Sequence, residues 1–193
     1  MKKILKKVWH FIWEDNSVFS WVVNIILAFI LIKFLVYPGL GFLLVTSNPV
    51  VAVVSGSMEH DNQFDDWWRA KEKFYTNFSI KKTDFETFQF NNGFNEGDLM
   101  ILKGKNPNEF KIGETIVFQG SGRDPIIHRI ISIKEINGKY FFSTKGDNND
   151  KQLAYEKNIS EEQVIGKAVL RIPLLGYVKI IFTETVNTLL NGA

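Results

Sequence analysis

The chain has 193 residues and no cysteine, which excludes a disulfide framework, a thiolate metal site and a cysteine nucleophile. Histidine is scarce, limited to His10, His60 and His128. His60 and His128 are not at metal-ligand spacing and no third ligand stands with them, so no metal site is expected. Five prolines and fourteen glycines fall without a repeat, and 45% of the residues are hydrophobic, which excludes a disordered or collagen-like chain. An excess of one charge is missing too: the net charge is +2, and it is unevenly placed. Residues 1–44 carry five lysines against two acids, and the remainder carries 18 basic against 19 acidic residues. A near-neutral body lacks the concentrated basic face that phosphate backbones require, so nucleic acid is not an expected partner.

What is present, first of all, is a long apolar run. Between positions 16 and 58 the only charged residue is Lys33. Residues 18–37, VFSWVVNIILAFILIKFLVY, reach the roughly 20 residues that cross a bilayer core. Trp21 and Tyr37 stand near the ends as interfacial aromatics do, and Pro38-Gly39 is expected to stop the helix. The run is too long for a cleaved leader, and no small-x-small site follows it. Lys2, Lys3, Lys6 and Lys7 precede it, so residues 1–17, with His10 a bland interfacial member, read as a cytoplasmic flank and the body as extracytoplasmic.

The body, 45–178, reads as mainly β. Residues 49–54 form a β-branched run, expected as a strand buried on both faces. Further strands are expected at 99–102, 115–118, 126–133, 139–144 and 168–172, separated by Gly, Pro, Asn and Asp turn signals. Asn137-Gly138 is a two-residue hairpin signal. This order, without helical crossovers, predicts an antiparallel sheet or partly open barrel. Residues 61–96 interrupt it. After Asp61-Asn62, the positions of Phe64, Trp67, Trp68 and Tyr75 have helical spacing, and Thr83-x-x-Glu86 reads as a capping box for a second short helix. Ten aromatic residues fall between positions 64 and 94, so this insert must pack on the body, the bilayer interface or a partner. The tail, 179–193, is apolar but carries Lys179 and Glu184, and reads as an interfacial or docking helix rather than a second span.

Three short segments hold the residues with reactive potential. Ser55-Gly-Ser57-Met58 follows the first strand, where small residues leave a hydroxyl uncrowded, although such a tetrapeptide alone reads equally as a turn. His128 lies within a β run, a position that suits a structural histidine or a base. Gly146-Asp147-Asn-Asn149 reads as a polar turn and lacks the alternating oxygen ligands of a calcium loop.

In order along the chain, Val54-Ser-Gly-Ser-Met-Glu59, Gly97-Asp-Leu-Met-Ile101, Lys111-Ile-Gly-Glu-Thr-Ile-Val-Phe118, Ile127-His-Arg-Ile130, Thr144-Lys-Gly-Asp-Asn-Asn149, Ile165-Gly-Lys167 and Ile172-Pro-Leu-Leu-Gly176 resemble signal peptidase I of the archaeal and endoplasmic-reticulum type. The resemblance implies a membrane-bound serine endopeptidase that cuts signal peptides from exported preproteins, with no metal or organic cofactor. It implies Ser57 as nucleophile, His128 as base and Asp147 as the carboxylate that holds the imidazole. The Ser57 N–H and the Ser55 hydroxyl would meet the oxyanion. The implied partners are signal peptides, the lipid bilayer, and a translocon or accessory subunits; the implied place is the cell membrane. Two positions depart from the family pattern. His60 replaces a common proline, which makes it a rival base on spacing alone. Leu153 stands where a further aspartate is often found, which leaves Asp150 as an accessory candidate. The alternative reading is a non-catalytic, membrane-anchored β module that binds extended peptides or a translocation partner.

Overall fold

The computed structural model describes residues 2–60, 63–120, 122, 124–178 and 180–181. It divides into two units, 1–43 and 44–193.

The first unit is helical. Helix α1 (Lys2–Trp13) sets Lys3, Lys6, Lys7 and His10 on one face and Ile4, Leu5, Val8 and Ile12 on the other, the pattern of a surface helix. Helix α2 (Val18–Leu31) is apolar on all sides. Ser17 caps it, accepting from the Ser20 N–H at 3.2 Å. The two helices meet at a polar corner: the Ser20 hydroxyl donates to the Phe11 carbonyl at 2.6 Å, and the Asn24 amide to the Ile12 carbonyl at 2.9 Å. These bonds satisfy carbonyls that the end of α1 leaves open.

Pro38-Gly39 does not stop the helix. A π-helical stretch, Ile32–Val36, leads into α3 (Tyr37–Leu44), and the continuous apolar helix is 27 residues, Val18–Leu44. The widened turn just before Pro38 gives a ring without an N–H a place in a continuing helix.

The second unit is a seven-stranded antiparallel sheet curled into a half-barrel. Its strands are β1 (Val50–Ala52), β2 (Leu99–Lys103), β3 (Thr115–Phe118), β4 (Ile126–Ile136), β5 (Lys139–Lys145), β6 (Ile159–Ser160) and β7 (Val164–Ile172), in the spatial order β1-β2-β7-β3-β4-β5-β6. Irregularities in the β2–β7, β3–β7 and β4–β5 registers add the local twist that curls a sheet. Asn137 and Gly138 both take positive φ, as a tight hairpin turn between β4 and β5 requires. The first strand is half-buried at the sheet edge, not sandwiched on both faces, and β2 is its one strand neighbour among the described residues.

The insert packs on the body. Helix α4 (Phe64–Thr76) and helix α5 (Lys82–Phe85) bring Trp67, Trp68, Tyr75, Ile80 and Phe85 into one cluster with Ile131 of β4. Helix α5 starts earlier than Thr83: the Asp84 carboxylate accepts from the Lys81 N–H at 2.9 Å, so Asp84 rather than Glu86 closes the cap. Asp61 and Asn62, and nearly all of the tail at 179–193, lie outside the described residues.

Candidate active site

The chain leaves β1 and turns through a short 3₁₀ segment, Gly56–Met58. Met58 is fully buried among Val53, Phe94 and Met100, and this anchors the turn while Ser57 stays half-buried. The loop after β5 is fastened to the same turn. The Asn148 N–H donates to the Ser57 carbonyl at 2.9 Å, and its side-chain amide donates to the Gly56 carbonyl at 3.1 Å. Gly146 is required by this close approach, since a Cβ there would lie 2.8 Å from both His128 Nε2 and the Ser57 carbonyl oxygen.

Strand β4 supplies the imidazole. His128 Nε2 lies 3.0 Å from Ser57 Oγ, although 71 residues separate the two along the chain. Ser55 Oγ lies 3.3 Å from Ser57 Oγ. His128 Nδ1 faces a carboxylate at 2.5 Å, that of Glu156. Glu156 is fully buried in a 3₁₀ turn, Ala154–Glu156, and its second oxygen accepts from the Leu153 N–H at 2.5 Å.

Asp147 is engaged elsewhere. Arg129 Nε lies 2.9 and 3.1 Å from its two oxygens, Arg129 Nη2 2.6 Å from Oδ2, the Tyr75 hydroxyl 2.8 Å from Oδ1, and His60 Nε2 3.2 Å from Oδ2. The carboxylate expected against the imidazole, Asp147, is in this structure bonded to Arg129, Tyr75 and His60. Burial pushes its carboxyl up, but the Arg129 charge and the bonds from His60 and Arg129 outweigh that and hold it well below the carboxylate range. Asp150 is also directed away, solvent-exposed and paired with Lys71 at 2.7 Å. His60, the rival base, has its ring stacked on Trp67 at 3.7 Å and its Nε2 on Asp147, with no hydrogen bond to Ser57.

Arg129 completes the wall. It is fully buried, and beyond Asp147 it donates to the carbonyls of Gln89, Gly113 and Phe90, with its guanidinium 4.6 Å from the Phe85 ring centroid. One residue along the strand from His128, it points its side chain to the face that the insert covers. Lys145 is buried beside it, donating to the Gly146 and Asp147 carbonyls over the Phe74 and Tyr75 rings. Burial pushes its ammonium down to about 8.

The sequence reading missed Glu156 and Arg129. Arg129 is part of the His-Arg-Ile triplet and was legible there as a neighbour of the base. Glu156 has one faint signal, its place three residues after Leu153, the spacing of a carboxylate that reaches back to a turn's first N–H.

No family model matches the chain. Among curated proteins it is similar to the "Signal peptidase complex catalytic subunit SEC11C" of Homo sapiens, 31% identical over 157 residues, 78% of this chain and 65% of that protein. It is also similar to the subunits named sec11 and SEC11 of Sclerotinia sclerotiorum and Pyricularia oryzae, each 31% identical over 158 residues, 78% of this chain and 73% of the relative. The chain spans 65% of the length of the mammalian relatives it matches.

Proposed function

The chain belongs to the family of signal peptidase complex catalytic subunits, and from that premise we propose that it is a membrane-anchored serine endopeptidase that removes signal peptides from exported preproteins. The observation that carries this reading is the approach of His128 Nε2 to Ser57 Oγ at 3.0 Å, within reach of proton transfer.

Ser57 Oγ attacks the scissile carbonyl as His128 takes its proton, and the acyl-enzyme forms when the imidazolium returns that proton to the leaving amine. Water then repeats the cycle and releases the carboxyl product. The Ser57 N–H and the Ser55 hydroxyl face the oxyanion; one such donor is worth about 3 kcal/mol of barrier. The substrate lies extended along β1, whose outer edge has no strand partner among the described residues. Small residues before the cut let the substrate backbone come close to that edge. The apolar helix Val18–Leu44 holds the enzyme in the cell membrane with the lysine-rich flank in the cytoplasm and the sheet outside, where accessory subunits and a translocon deliver preproteins.

Ser57→Ala and His128→Ala are each expected to lower cleavage of a preprotein in detergent or vesicles by at least about 10³-fold, with circular dichroism unchanged. A mechanism-based serine reagent should label Ser57 in the parent and nothing in Ser57→Ala. Processing at the parent rate by either variant would overturn the role of that residue, and absence of labelling would favour a non-catalytic peptide-binding module.

A further inference from the structure

The imidazole needs a partner on its second nitrogen, and both aspartates expected there are occupied: Asp147 by Arg129, Tyr75 and His60, Asp150 by Lys71. Glu156 Oε1 stands 2.5 Å from His128 Nδ1. Both atoms are buried, and neither makes a hydrogen bond of good geometry with any partner among the described residues, the other included, so what joins them is a short charge contact. A buried polar atom left alone costs roughly 1–3 kcal/mol, and a small rotation that aligns the Nδ1–H with Oε1 would remove that cost from both atoms at once. The other carboxylate oxygen is pinned by the Leu153 N–H. Leu153 lacks a carboxylate of its own, yet its backbone fixes one that arrives three residues later.

We infer that Glu156 is the positioning residue of the proton relay, holding His128 through Nδ1 in the role first expected of Asp147. The inference rests on the hydrolase reading and deepens it. With Nδ1 protonated and facing Glu156, Nε2 carries a lone pair toward Ser57 Oγ. During attack the serine proton moves to Nε2, the bond from Oγ to the carbonyl carbon forms, and the imidazolium shares its Nδ1–H with an ionised Glu156. The carboxylate takes no proton; the one on Nε2 passes on to the leaving amine.

The Leu153 N–H makes the isosteric variant informative. In Glu156→Gln that donor keeps the amide oxygen, which turns the amide NH₂ toward Nδ1. His128 must then accept at Nδ1 and carry its proton on Nε2, where it cannot receive one from Ser57. Histidine-labelled ¹⁵N spectra of the full chain in detergent should show His128 Nδ1-protonated in the parent and Nε2-protonated in Glu156→Gln, assigned by loss of the signal in His128→Ala. The kcat for preprotein cleavage should fall about 10³–10⁴-fold, with KM changed only a few-fold. Glu156→Asp, which restores the charge one methylene short, should recover at least tenfold of that loss. An Nε2-protonated His128 in the parent overturns the inference, and this readout does not depend on any Glu156 variant folding. So does a folded Glu156→Gln whose kcat stays within tenfold of the parent while Ser57→Ala is inactive. Activity in Ser57→Ala would instead overturn the hydrolase reading itself.

Discussion

Asp147 and Glu156 are two buried carboxylates close in sequence with different tasks, and the difference lies in what surrounds each. Asp147 is neutralised by a guanidinium and ties the insert to β4; Glu156 meets an imidazole that changes charge during the proposed reaction. Removing one member of a buried ion pair strands the other, so Asp147→Asn and Arg129→Leu should each cost about 3–5 kcal/mol in urea unfolding. Acid should act through the same group. The lowered pKa of Asp147 contributes stability that is complete above its ordinary value of 3.8 and is lost as pH falls through the lowered one. Tryptophan emission should therefore shift to the red below about pH 4, as Trp67 and Trp68 lose their packing. Lys145 contributes a cost instead of a gain. Its depressed pKa means that the fold disfavours the ammonium, so its cost is relieved as pH rises from about 8 toward 10.5. At this scale Ser57 and His128 were legible as candidates because they sit in dense motifs. The task of Asp147 was not, because a motif preserves residue type and order but not which neighbour a carboxylate faces.

The strands were legible because their chemistry is local. Thr115–Phe118 alternates nothing, being buried throughout, but its β-branched residues and flanking glycines mark it, and Asn137-Gly138 fixes the β4–β5 hairpin without help from the rest of the fold. The two-residue β6 carries too little sequence to announce itself, and it exists because Ile159 and Ser160 pair with Phe142 and Phe141. The insert was readable as helical and aromatic, whereas its docking face depends on Arg129 and Ile131, which lie far along the chain. Its packing makes it a structural wall of the site. Trp67→Ala should cost about 3–5 kcal/mol and lower activity at 37 °C more than at 20 °C, measured as the ratio of cleavage rates at the two temperatures.

For the whole molecule, the absence of cysteine is an experimental advantage. Single cysteines introduced at Lys139 on the β4–β5 hairpin and at Lys3 in the flank can be probed with a membrane-impermeant maleimide in intact cells. Lys139→Cys should label from outside, and Lys3→Cys only after permeabilisation; the reverse pattern would place the sheet in the cytoplasm. The continuation of the apolar helix through Pro38 has a further consequence. At 1.5 Å per residue its 27 residues measure about 40 Å, against a hydrocarbon layer of about 30 Å. A rod longer than its slab must lean, or lodge its ends among the headgroups. Bilayer thickness thus becomes a variable to which this chain responds, with the lean increasing as the lipid tails are shortened.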